Sequence, residues 1–118
     1  MKISTMKELL DAQVLSCEEN LGRHVYSACG CDLMSDVLAY VKDQAVLLTG
    51  LVNPQVIRTA VMMDMVCIVF VRSKKPTPEM IELARESGIV LMATERRMYE
   101  ACGILYQNGL VGNKVNRG

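Results

Sequence analysis

Ala45-Val46-Leu47-Leu48-Thr49-Gly50 leads through Asn53-Pro54 into a helical stretch, and Val66-Cys67-Ile68-Val69-Phe70-Val71 follows, stopping at Arg72-Ser73-Lys74-Lys75. Both apolar runs lack the in–out alternation of a strand with one wet face, so each must be covered on two sides. A single helix between two such strands makes a parallel pair, and another helix, strand and helix follow after residue 75. In sheets of this kind ligands sit beyond the carboxyl ends of the strands. Residues 49–53 and 72–75 are therefore the first places to look for function.

Downstream, Thr77 is placed to cap a helix with Pro78 at its first position, Met80, Leu83, Ala84 and Ser87 carry the helical period, and Gly88 ends it. Ile89-Val90-Leu91-Met92 reads as the next strand. Thr94 then caps a last helix reaching about Gln107, with Met98, Cys102 and Leu105 inward and Asn108-Gly109 as its stop. Between the two central strands, Asn53 caps a helix running from Pro54 to Met63 whose buried stripe is Val56, Ile57, Ala60 and Val61.

Upstream, Thr5-x-x-Glu8 has the form of a capping box, with Met6, Leu9 and Leu10 on one helix face. Val14-Leu15-Ser16-Cys17 and His24-Val25-Tyr26-Ser27-Ala28 read as short strands around a polar turn at 18–22. The loop Cys29-Gly30-Cys31-Asp32 leads into a helix from about Ser35 to Lys42, with Ser35 or Asp32 as cap and Val37, Leu38 and Val41 inward. Residues 1–110 thus form one domain, and 111–118, without periodicity, a flexible tail. The expected fold is a three-layer α/β/α arrangement around a mostly parallel sheet of four or five strands.

The 118 residues are 51% hydrophobic, enough for a substantial core. Thirteen basic and thirteen acidic side chains cancel, so no global field would hold a nucleic acid or an anionic membrane. The central apolar run is far too short to cross a bilayer, and the charged amphipathic start does not resemble a signal peptide. A cytoplasmic setting is expected, with the five cysteines as thiols.

Candidate chemistry is sparse. Cys29-x-Cys31 could share a metal or act as a redox pair, because a nearby helix start would lower a thiol pKa. Cys67 and Cys102 fall on core faces, which leaves too few ligands for a metal site. His24 is the sole histidine and has no partner motif for nucleophilic catalysis. Asp32 and Asp36, four apart across a helix start, suit capping better than acid–base work. Thr49-Gly50 begins neither a Walker loop nor a dinucleotide fingerprint. Asn53 and the free amides of the following helix could bind an anion or a ribose hydroxyl, with Arg72 completing the site. Arg96-Arg97 offers a weaker version of that cation. No cofactor is expected.

Asp32-Leu33-Met34-Ser35-Asp36-Val37-Leu38-Ala39, Leu48-Thr49-Gly50-Leu51-Val52-Asn53-Pro54-Gln55-Val56-Ile57-Arg58-Thr59-Ala60 and Lys75-Pro76-Thr77-Pro78-Glu79-Met80-Ile81-Glu82-Leu83-Ala84 together resemble the DRTGG domain family. Gly88-Ile89-Val90-Leu91 and Met98-Tyr99-Glu100-Ala101 continue the likeness, which covers nearly the whole chain. It implies the fold of the N-terminal domain of HPr kinase/phosphorylase. It also implies a non-catalytic accessory role, as in the regulatory inserts of phosphotransacetylases and of CBS-containing pyrophosphatases. The chain departs from the family at three places. Leu51-Val52 replaces an expected Asp-Arg, Val71-Arg72-Ser73 replaces Thr-Gly-Gly, and Cys29 and Cys31 replace an aromatic or small residue and a serine.

These readings lead to a regulatory or ligand-sensing module, not an enzyme, acting as a homodimer or through a partner enzyme or kinase. Its ligand, small and anionic or nucleotide-like, would meet Asp32, Ser35, Thr49, Gly50, Asn53, Arg72 and Ser73. The alternatives are a small redox or metal-dependent protein using Cys29 and Cys31, and a purely structural dimerisation module.

Overall fold

The computed structural model describes residues 1–41 and 44–111. Its elements run α1 (Ile3–Leu10), β1 (Gln13–Val14), a 3-10 turn (Glu18–Asn20), β2 (Ser27–Gly30), α2 (Met34–Tyr40), β3 (Ala45–Thr49), α3 (Pro54–Met62), β4 (Cys67–Phe70), α4 (Pro78–Ser87), β5 (Val90–Ala93) and α5 (Met98–Gln107). The sheet has five strands in the order β1-β5-β4-β3-β2. Strands β2 to β5 are parallel neighbours, and β1 joins β5 antiparallel at one edge.

The double coverage inferred from the apolar strands is present. Val46, Leu48, Cys67, Val69, Val90 and Met92 face α1 and α5, packing on Met6, Leu10, Ala101 and Leu105. Their alternates Leu47, Ile68, Phe70 and Leu91 face the other layer, packing on Val37, Val56, Ile57, Met80 and Ala84 of α2, α3 and α4. Every residue of β3, β4 and β5 is buried. This is the expected three-layer architecture, with the loops after β2, β3, β4 and β5 gathered on one edge.

Local chemistry settles α3 and α4 as read from the sequence. The Asn53 side chain accepts from Gln55 N at 2.9 Å, the Thr77 hydroxyl accepts from Met80 N at 3.3 Å, and proline stands in the first turn of both helices. Gly88 ends α4 at φ 72°, the left-handed turn that glycine adopts without steric cost.

Elsewhere tertiary bonds override local signals. Thr5 is not a cap, because α1 begins at Ile3, whose amide and that of Ser4 already donate to Arg23 O and Leu21 O. The first strand is shorter than expected. Ser16 leaves the ladder and uses its buried hydroxyl in place of backbone, donating to Ile89 O at 2.8 Å and accepting from Leu91 N at 2.9 Å. His24 makes only an isolated bridge to Lys2, so β2 starts later and carries Cys29 inside it. Neither Ser35 nor Asp32 caps α2, which begins behind Leu33. Thr94 does not cap α5, which begins at Met98 behind Arg97; its hydroxyl donates to Leu10 O at 2.7 Å and accepts from Arg96 N at 3.3 Å.

Leu38 and Val61, expected inward, are 40% and 45% exposed, and Thr59 takes the buried position on α3. Lys42, the expected end of α2, and 112–118 of the expected tail lie outside the described residues.

Candidate functional site

At the carboxyl edge of the sheet, β2 delivers Asp32 to the end of β3. One Asp32 carboxylate oxygen accepts from both the Thr49 hydroxyl and Gly50 N, each at 2.8 Å. Thr49 is fully buried and its Oγ1 in turn accepts from Leu51 N at 3.1 Å, so the loop after β3 is pinned to the loop after β2. The Gly50 amide holds the Asp32 carboxyl below the usual carboxylate range, helped by the Thr49 hydroxyl and the Arg72 charge and opposed by partial burial. Asp32 is an ionised clamp, not a poised acid.

The chain leaving β4 supplies the cation. Arg72 lies across Gly50 so closely that a side chain on residue 50 would collide with its guanidinium. A side chain there would push aside the end of a flexible arginine, and φ is not at issue. Among the described residues the ion pairs within 4.0 Å are Arg85–Glu82 and Arg96–Glu100, so the exposed Arg72 guanidinium has none.

The backbone of this turn is strained. Arg72 and Ser73 adopt φ 58° and 59°, and a non-glycine residue in that region costs about 1 kcal/mol or more. These are the positions where the family resemblance sets Gly-Gly. The conformation is held by Arg72 N donating to Arg96 O at 2.8 Å and Ser73 N donating to Thr94 O at 3.0 Å. Arg72 therefore leans toward β3 while the turn is tied toward β5.

The structure thus brings Asp32, Thr49, Gly50 and Arg72 together. Ser35 is exposed in the first turn of α2. Asn53 spends its side-chain oxygen on Gln55 N and its carbonyl on Val56 N, while Pro54 has no N–H. The start of α3 therefore offers an anion fewer amides than the sequence suggested. Ser73 faces the other way, into a cleft of about 600 Å³ at the ends of β4 and β5 that is also lined by Lys75, Thr94, Arg96 and Arg97. That cleft was not legible beforehand. Its one sequence signal, Arg96-Arg97, gave no hint that Ser73 and Lys75 would join it.

Cys29 lies within β2, and its thiol is pushed up to about 11, first by burial and then by Cys31, Cys102 and Asp36. Such a thiol is a poor nucleophile at neutral pH. The expectation that a helix start would lower it is not met, because burial and the neighbouring Cys31, Cys102 and Asp36 all raise it. Cys31 Sγ accepts from Leu33 N at 3.3 Å. No group of three or more His, Cys, Asp or Glu side chains among the described residues is placed to hold a metal. His24, before the start of β2, is separated from Asp32 by the whole strand. No described helix is long and apolar enough to cross a membrane.

Among solved structures, the chain is similar to the CBS and DRTGG domains of the regulatory region of Clostridium perfringens pyrophosphatase, determined in complex with the activator diadenosine tetraphosphate. The match has a TM-score of 0.73 at 14% identity and covers 90% of this chain, but only 46% of that one. At that identity the likeness is one of fold. No curated protein matches the chain. The model of the DRTGG domain family matches residues 5–107, nearly the whole chain, which therefore belongs to the DRTGG domain family.

Proposed function

We propose that this protein is a non-catalytic, ligand-sensing regulatory module that recognises a small anionic or nucleotide-like molecule at the carboxyl edge of its sheet. The observation that carries the reading is the uncommitted Arg72 guanidinium, held over Gly50 beside a loop that Asp32 has already rigidified. A guanidinium with no ion-pair partner among the described residues, beside an ordered loop, can take an anion without first giving up a salt bridge. The solved neighbour supports the reading, since it is a regulatory region in complex with the activator diadenosine tetraphosphate.

Output passes through a second copy or a partner protein such as an enzyme or kinase, in a cytoplasmic setting. Tyr99, Met62 and Tyr106, which are 89%, 69% and 66% exposed, supply apolar surface for such contacts.

Thermal-shift measurements with adenine mononucleotides, diadenosine tetraphosphate and inorganic phosphate test the ligand. Stabilisation by at least one nucleotide, abolished in Arg72→Ala, is expected. Stabilisation that survives Arg72→Ala would move the site elsewhere, and no stabilisation by any of them would remove the sensing role.

A further inference from the structure

We propose that the cleft between the ends of β4 and β5 is a second binding site, one that takes a phosphate ester of a hydroxylated sugar. It goes beyond the Arg72 site, from which the Arg72–Ser73 turn separates it.

Several features converge on the cleft. Its volume, about 600 Å³, falls in the range of roughly 300–1,000 Å³ usual for small-molecule sites. Lys75, Arg96 and Arg97 line the cleft with three cations, and Ser73 and Thr94 line it as well. Arg96 Nε is shielded from solvent and has no hydrogen-bond partner among the described residues. The Arg96 side chain as a whole is 39% exposed, and its exposed part is what a ligand in the cleft can reach.

The amino end of α5 opens into the same space. Arg97 at its cap position provides no side-chain bond, and Arg97 and Glu100 both line the cleft. Glu100, in the first turn of α5, lines the cleft, and its amide has no acceptor among the described residues. That amide adds to the three cations and does not make a site alone.

The acidic residues narrow the ligand class. Asp11, Glu95 and Glu100 also line the cleft, so its formal charge is zero and it has no long-range pull on a bare anion. Glu100 meets Arg96 only at 3.7 Å, in a pair 39% and 61% exposed, which is weak and can yield to a better acceptor. Carboxylates beside cations suit a molecule that brings both an anionic group and hydroxyl donors. A phosphate would take the Arg96, Arg97 and amide donors, and sugar hydroxyls would donate to Asp11 and Glu95. A free sugar phosphate and a nucleoside monophosphate share this chemistry.

Amide-resolved NMR titration with ribose 5-phosphate, adenosine monophosphate and inorganic phosphate, at matched ionic strength, tests the assignment. Saturable shifts of Ser73, Arg96, Arg97 and Glu100 are expected, larger for ribose 5-phosphate than for inorganic phosphate. Equal affinity for ribose 5-phosphate and the mononucleotide means the sugar phosphate is the recognised unit. Tighter mononucleotide binding means the base also contributes. Arg96→Gln/Arg97→Gln should weaken binding about tenfold or more. Arg97→Gln alone, at an exposed position, gives the same sign if the double variant fails to fold. Shifts confined to residues 50–55 would overturn the cleft while leaving the Arg72 reading intact. Inorganic phosphate binding as well as the ester, or no saturable shift at all, would also overturn it.

Discussion

The entry to α3 and the turn after β4 are neighbours on one sheet edge, and they are stabilised in opposite ways. At Asn53-Pro54 every element is local. The side chain caps, the proline is pre-set for the first turn, and the available amides are bonded within the segment. At Arg72-Ser73 the local preferences are violated twice in succession, and bonds to Arg96 O and Thr94 O hold the backbone in place. The first segment is spent on its own stability. The second leaves a guanidinium without an ion-pair partner on one side and opens onto a cleft on the other. That contrast is why the turn, and not the helix start, is proposed as the binding surface.

Removing the local chemistry should produce the largest change. Asn53→Ala and Thr77→Ala each delete a side-chain cap and should each lower stability by about 1 kcal/mol in urea titrations. Losses near zero would mean that the caps matter no more than the strained turn. Relieving the turn should move stability the other way. Arg72→Gly/Ser73→Gly replaces two left-handed non-glycine residues and should stabilise by about 1 kcal/mol, after the extra flexibility of glycine in the unfolded chain is offset. A destabilised double variant would show that the native side chains more than offset their backbone strain.

Giving α5 the kind of cap that α3 has should add about 0.5–1 kcal/mol, so Arg97→Ser is expected to raise the melting temperature while emptying the cleft of one cation. The smallest effect concerns pH. Asp32 has a folded pKa below its unfolded value, so its contribution is present above about pH 4 and is lost as pH falls through the folded pKa. Asp32→Asn should therefore be less stable than wild type at pH 6, with the difference shrinking at acidic pH. A difference that is flat with pH would mean the clamp is not electrostatic.

How much of this was legible in the sequence follows the same divide. The strands from Ala45 and Val66 are apolar on both faces, a pattern with one packing solution, and the layers came out as read. Asn53, Thr77 and Gly88 act within a few residues of themselves and could be read directly. Thr5, Thr94 and Ser35 carry the same capping chemistry but none of them is a helix cap. Thr94 bonds to Leu10 O, distant in sequence, and α1 is anchored by residues 21 and 23. Ser16 substituting for backbone against β5 was beyond reach for the same reason. At the edge, Asp32, Thr49, Gly50 and Arg72 were all named, but the bonds joining them depend on sheet register. The cleft behind Ser73 depends on how α5 enters after β5, which no local signal encodes.

Calorimetric titration of adenosine diphosphate into wild type and into Arg72→Gly/Ser73→Gly tests most directly whether the strained turn is the functional surface. Saturable binding to wild type is expected, with at least tenfold weaker binding, about 1.4 kcal/mol, to a variant that melts at a higher temperature. Unchanged affinity in the more stable variant, or no binding to wild type, would contradict it.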